Sequence, residues 1–136
     1  MKYSLILALV LGAGVLAITL WPAAPAQIGV STTSVDFGEI DQGGGPVTTS
    51  VQVRNDGGQP LNIFRVSTSC GCTTATLDSS PIEPGNSRPL TIQFDPMVHP
   101  DENGPITRMV YLQSSDPNQP ELEIEITGTV MPRQPL

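Results

Sequence analysis

Positive charge is what this sequence has least of. Its 136 residues hold six lysines and arginines against thirteen aspartates and glutamates, a formal net charge of −7. Setting aside Lys2, the single lysine, leaves five arginines and a balance of −8. No basic patch or stripe is available to neutralise phosphates, which argues against nucleic-acid binding. Other chemistry is scarce as well. One histidine, His99, and two cysteines, Cys70 and Cys72, are all the chain has of these types. A Cys–His hydrolase needs its pair in contact and oriented by a third group, and nothing in the spacing supplies one. A structural zinc site normally has four ligands, more than this set offers. Gly43-Gly44-Gly45-Pro46 lacks the Lys and Ser/Thr of a phosphate loop. There are no internal repeats, no Asn-x-Ser/Thr sequon and, beyond residue 30, no sustained helical period.

The N-terminus is richer. Lys2 precedes an uncharged run from Leu5 to Trp21, followed by Pro22-Ala23-Ala24-Pro25-Ala26. As a signal peptide it has a basic start, an apolar middle and an Ala24-Pro25-Ala26 exit before Gln27. As an anchor it has Tyr3 and Trp21 at interfacial positions, and a helix between them spans roughly 27–28 Å, close to a hydrocarbon core. The run exceeds the usual signal core of about 7–15 residues, which favours the anchor. Ala8/Gly12 and Ala13/Ala17 have the spacing of small residues that let membrane helices pack closely. No cysteine follows the run until Cys70, so a lipoprotein anchor is not available, and there is no twin-arginine signal. Lys2 would stay cytoplasmic and the remainder would cross.

The rest of the chain alternates strand-like runs with turn clusters. Val47 to Arg54, Leu90 to Phe94 and Glu121 to Thr127 alternate apolar with polar residues, the last with three aliphatics inward and three glutamates outward. Val35 to Ile40, Leu61 to Ser69, Thr73 to Leu77 and Ile106 to Gln113 complete about seven short strands in roughly 100 residues, the pattern of an all-β, immunoglobulin-like β-sandwich. A small barrel is the alternative. Turn signals stand at Asn55-Asp56-Gly57-Gly58, Glu83-Pro84-Gly85-Asn86 and Asp116 to Pro120. The Glu121/Glu123/Glu125 stripe is most simply a solvent face, and it also discourages edge-to-edge aggregation.

Cys70-Gly71-Cys72 leaves several chemistries open. In an extended run both sulfurs project to one face. They could chelate a soft metal, with Met97, His99 or Met109 as a third ligand; Cu(I) tolerates two or three soft ligands and suits the set better than zinc. They could exchange disulfides, since a Cys-x-Cys bridge closes a very small ring, but a helix N-terminus or nearby cation is needed, and the nearest in sequence are Arg65 and Arg88. Or they could pair or pack for stability, Gly71 allowing a tight bend.

Asp36-Phe37-Gly38, Asn55-Asp56-Gly57 with Pro60-Leu61, Ser69-Cys70-Gly71-Cys72-Thr73, Pro84-Gly85, Phe94-Asp95, Ser115-Asp116 and Gly128 occur in an order that resembles a known family. It is an exported bacterial domain family of unknown function with a Cys-Gly-Cys motif, related to Hydin-type (ASH) and major-sperm-protein-like immunoglobulin folds. The resemblance covers about residues 33–130. It implies a sandwich of seven or so strands with a binding or scaffolding role rather than catalysis.

The expected organisation is an anchor or signal helix over 1–22, with Tyr3, Gly12 and Trp21 as anchor residues, a linker over 23–32, a sandwich over 33–131 and a tail over 132–136. The expected function is a non-catalytic accessory subunit without a cofactor. It would sit in a bacterial inner membrane by a single pass, its C-terminal domain in the periplasm binding an integral membrane complex, with a basic periplasmic partner as the one its acidity suits. The alternatives are a periplasmic Cu(I)-binding protein using Cys70, Cys72, Met97 and His99, and a thiol–disulfide exchange protein.

Overall fold

A computed structural model describes residues 21–134. The expected helix over 1–22, with Tyr3 and Gly12, lies outside the described residues except at its end, where Trp21 is exposed. Among the described residues no helix is long and apolar enough to cross a membrane.

Alternation decides the fold. Among the described residues eight strands form: β1 (Ile28–Val30), β2 (Ser34–Asp41), β3 (Val47–Asn55), β4 (Ile63–Thr68), β5 (Thr73–Thr76), β6 (Ser87–Phe94), β7 (Gly104–Ser114) and β8 (Glu121–Met131). They make two four-stranded sheets, ordered β1-β3-β6-β5 and β2-β8-β7-β4. All pairings are antiparallel except β2 with β8, which run parallel. The inward residues of each strand meet in the middle of the sandwich. Val51, Val53, Leu90 and Ile92 from one sheet pack with Val110, Leu112, Leu122, Ile124 and Ile126 from the other. A smaller cluster of Ile40, Cys72, Phe94, Ile106 and Val130 closes one end. Where β2 and β8 approach, a Cβ at Gly128 would lie 2.8 Å from Ile40 Cδ1 and 3.3 Å from Gly38 O, so a larger residue there would have to displace the buried Ile40 side chain.

The eighth strand is a correction to the expected layout. Residues 28–30, placed in the linker, pair with Val53 to Asn55 of β3. The preceding residues are also tied down: Gly58 N–H donates to Ala24 O at 3.1 Å, Asp56 N–H donates to Gln27 O at 2.8 Å, and Ala26 is buried. A Cβ on Gly57 would collide with the Pro25 carbonyl, so Gly57 leaves room for this segment to cross. Residues 132–134 have no regular structure.

Candidate functional site

Four residues, Ser69 to Cys72, link β4 of one sheet to β5 of the other. Thr73 N–H closes their turn by donating to Cys70 O at 3.1 Å. The Thr68 hydroxyl is shared between Cys70 O and Thr73 O at 3.0 and 2.9 Å, and Asp95 N–H donates to Cys72 O at 2.8 Å. Cys70 and Cys72 are joined as a disulfide, their Cα atoms 5.2 Å apart. Cys72 is buried in the end cluster, whereas Cys70 is half-buried. Gly71 does not enforce the bend. Its φ is not positive, and a Cβ there would meet nothing within 4 Å.

Two further side chains converge on the sulfurs. His99, from the loop between β6 and β7, places Nε2 3.4 Å from Cys70 Sγ. Arg108, on β7, donates from Nε to Cys72 Sγ at 3.1 Å and from Nη2 to Glu102 Oε1 at 2.7 Å. One turn of the loop sets both His99 and Glu102, because Glu102 N–H donates to His99 O at 3.0 Å. Gln42, beyond β2, holds that turn from outside through the Pro100 carbonyl. Val98, His99, Pro100, Asp101, Glu102 and Arg108 line a cleft of about 500 Å³ beside the cysteines.

The structure thus brings Cys70, Cys72 and His99 together, their ligand atoms all within 4.8 Å of one another. Met97 is on the same loop but 43% exposed. Met109 is on the outer face of its sheet, opposite Glu125. Arg65 and Arg88 are the nearest cations in sequence, but the one on the sulfur is Arg108, more distant along the chain. A signal for it existed. Ile106, Val110 and Leu112 are the inward, buried positions of β7, and Arg108 shares their parity. A charge among core positions needs partners, and its partners are a carboxylate and a sulfur.

The outer faces of the two sheets differ in charge. Register and exposure put Asp36, Glu39, Asp41, Glu121, Glu123 and Glu125 on the outside of the β2-β8-β7-β4 sheet, with Arg65 beside Gln113 at its far edge. The outside of the other sheet presents Thr48, Ser50, Gln52, Arg54, Thr91 and Gln93. No carboxylate lies on its strands.

At the end of the sandwich away from the cysteines, Asp116 is also buried. Burial works against its ionisation, but backbone N–H groups of Ile28, Asn118 and Gln119, at 2.9, 2.8 and 3.1 Å, outweigh this and hold its carboxyl below the ordinary value. Asn55 is buried beside this end, its amide donating to Gln59 O and Ile82 O and its oxygen accepting from Gln27 and Gly57.

Comparison with known proteins bears on fold and family. A protein of unknown function from Porphyromonas gingivalis W83 is 27% identical, with a TM-score of 0.71 over 83% of this chain and 51% of that one, so this chain spans about half of that protein. The ASH/PapD-like domain 7 of human CEP192 is 12% identical, with a TM-score of 0.63 and coverage of 98% and 99%. The VesB protease of Vibrio cholerae is 13% identical, with a TM-score of 0.57 over 76% of this chain and 31% of that one. The last two likenesses concern the fold alone. No curated protein matches. The family model described as protein of unknown function (DUF1573) matches residues 28–130. This β-sandwich therefore belongs to the DUF1573 family and has the immunoglobulin-type fold of ASH/PapD-like domains.

Proposed function

We propose that the chain is a non-catalytic accessory domain, displayed from a bacterial inner membrane into the periplasm, which docks its acidic sheet face on the basic surface of a membrane-protein complex. The observation that carries this reading is the charge asymmetry of the sandwich: six outward carboxylates on one sheet and none on the strands of the other. Such a face steers a basic partner and fixes its orientation. Tyr111 and Met109, between the glutamates and β4, add apolar contact area.

Retention of the N-terminal segment is supported by the packing of Ala24 to Ala26 against Gly57 and Gly58, which a cut before Gln27 would remove. In the anchored protein only Pro22 and Ala23 separate the apolar run from residues bound to the sandwich. That tether holds the Asp116 end toward the membrane and points the cysteine corner away from it.

Blue-native electrophoresis of detergent-solubilised membranes tests the reading. The full-length chain should migrate with a larger complex at native expression levels. E121K/E123K/E125K should release it without loss of folding. A wild-type chain that migrates only as a monomer counts against the proposal.

A further inference from the structure

We propose that the cysteine corner is a redox-gated site for a soft monovalent cation of the Cu(I) class: closed while Cys70 and Cys72 are bridged, open once they are reduced, with His99 as third ligand and Arg108 as a hydrogen-bond donor to the Cys72 sulfur. This is independent of the acidic docking face.

The donor set comes first. Two sulfurs and one imidazole nitrogen lie within 4.8 Å of one another, on a turn tied to the sandwich by backbone hydrogen bonds and a loop held by the Gln42 side chain through the Pro100 carbonyl. A soft d10 ion holds a thiolate at about 2.3 Å, so gripping one ion between two sulfurs needs them to part by at most about 4.6 Å. Side chains whose Cα atoms are 5.2 Å apart reach that without moving the turn. Thiolate and imidazole are the ligands that select such ions over hard cations.

Coordination number selects among soft ions. Zinc on these three ligands would still lack a fourth. The Glu102 carboxylate is taken up by Arg108 through both its oxygens, and the same guanidinium donates to the Cys72 sulfur. The site is therefore short of a ligand for zinc and suited to a three-coordinate monovalent ion.

Opening the gate takes two electrons and two protons, supplied by a dithiol reductant. A donor thiolate attacks Cys70 Sγ, the more accessible sulfur, and Cys72 leaves as a thiolate facing Arg108. The second donor thiol then displaces Cys70, and the donor departs as a disulfide. Binding of Cu(I) displaces whatever protons remain on the two sulfurs, with no change in the oxidation state of the metal. Closing is the reverse exchange with a disulfide oxidant, which takes the two electrons and, with two protons from solvent, leaves as a dithiol; the re-formed Cys70–Cys72 bridge removes both thiolate ligands and expels the ion.

The test uses the full-length chain in detergent under anaerobic conditions, with Cu(I) presented as its bicinchoninate complex. Chain reduced with a phosphine, then freed of it, should withdraw one Cu(I) per chain, and oxidised chain should withdraw none. X-ray absorption should show two sulfurs and one nitrogen, with the nitrogen lost in His99→Ala. Arg108→Met should keep the ligands and weaken binding about 10-fold. Because oxidised and reduced samples share one sequence, the comparison does not depend on a variant folding, and a cooperative melt of the reduced chain confirms its fold. The proposal is overturned if the reduced chain withdraws no copper or no longer melts cooperatively. It is equally overturned if both forms bind alike, if Zn(II) displaces the Cu(I), or if the copper bridges two chains.

Discussion

The sandwich buries polar groups at both ends, and the two ends solve the problem in opposite ways. Around Asp116 and Asn55 nearly every partner is a backbone N–H or carbonyl fixed by strand or turn geometry. Around Cys72 and Arg108 the partners are themselves side chains with chemistry: a second sulfur, an imidazole and a carboxylate carried partly by a loop. A group satisfied by backbone has one arrangement available and acts as architecture. A group satisfied by other reactive side chains can change state when any of them does. Burial alone does not separate these cases, since Asp116 and Cys72 are both 2% exposed.

The largest effect should come from the architectural end. Asp116→Ala removes the acceptor for three backbone donors, one of them the N–H that starts β1, and is expected to cost about 3 kcal/mol of unfolding free energy. Urea denaturation measures it, and copper uptake by the reduced variant at temperatures where it stays folded should be unchanged. If the variant loses less than about 1 kcal/mol, the contrast between the ends fails.

Acid provides a second cut at the same residue. A carboxyl held below its ordinary value in the folded state binds its proton more readily when unfolded, so stability rises with pH across that interval. The contribution is fully present above about pH 4, the ordinary carboxylate range, and is lost as pH falls through the lower folded value. The wild-type melting temperature should drop on acidification below about pH 4, and Asp116→Asn should flatten part of that drop. An identical acid limb in the two proteins would assign the effect to other carboxylates.

How far the sequence showed these two ends in advance depended on how local each signal was. Leu90 to Phe94 and Glu121 to Thr127 declare their faces within a few residues, and both form strands with the expected side inward. Ile28–Val30 is three residues long and follows a Pro/Ala-rich stretch; only its pairing with β3 makes it a strand. Asp116 was legible as a turn residue, but the donor that most ties it to the fold, Ile28 N–H, is 88 positions away. The cysteine pair is legible as a local motif, whereas its cation lies 36 positions away on β7, marked only by the parity of Arg108 with the buried Ile106 and Val110.

The bridge itself should matter less to stability than Asp116 does. Its loop spans three residues, for which the chain-entropy model gives only about 1.6 kcal/mol. Reducing the chain without metal should therefore lower its unfolding free energy by about half of what Asp116→Ala costs, measured by urea denaturation with and without a phosphine. A loss of about 4 kcal/mol or more would make the bridge architectural and erase the distinction from the Asp116 end.

The smallest effect belongs to the glycine between the cysteines. Gly71 is exposed, does not use positive φ, and has open space where a Cβ would stand. Alanine can adopt the native backbone there and has fewer conformations to lose from the unfolded chain, so Gly71→Ala is expected to raise stability by about 0.4–1 kcal/mol. Copper uptake by the reduced variant should match the wild type, because the ligand atoms belong to Cys70, Cys72 and His99 and the new methyl points into solvent. The paired measurement is a urea melt of the oxidised protein and a bicinchoninate titration of the reduced one. A destabilised variant would show that the turn needs its glycine after all and that the corner is constrained as tightly as the Asp116 end. A stabilised variant with unchanged uptake would place the constraint where the geometry has it, in the sulfurs, the imidazole and the guanidinium behind them.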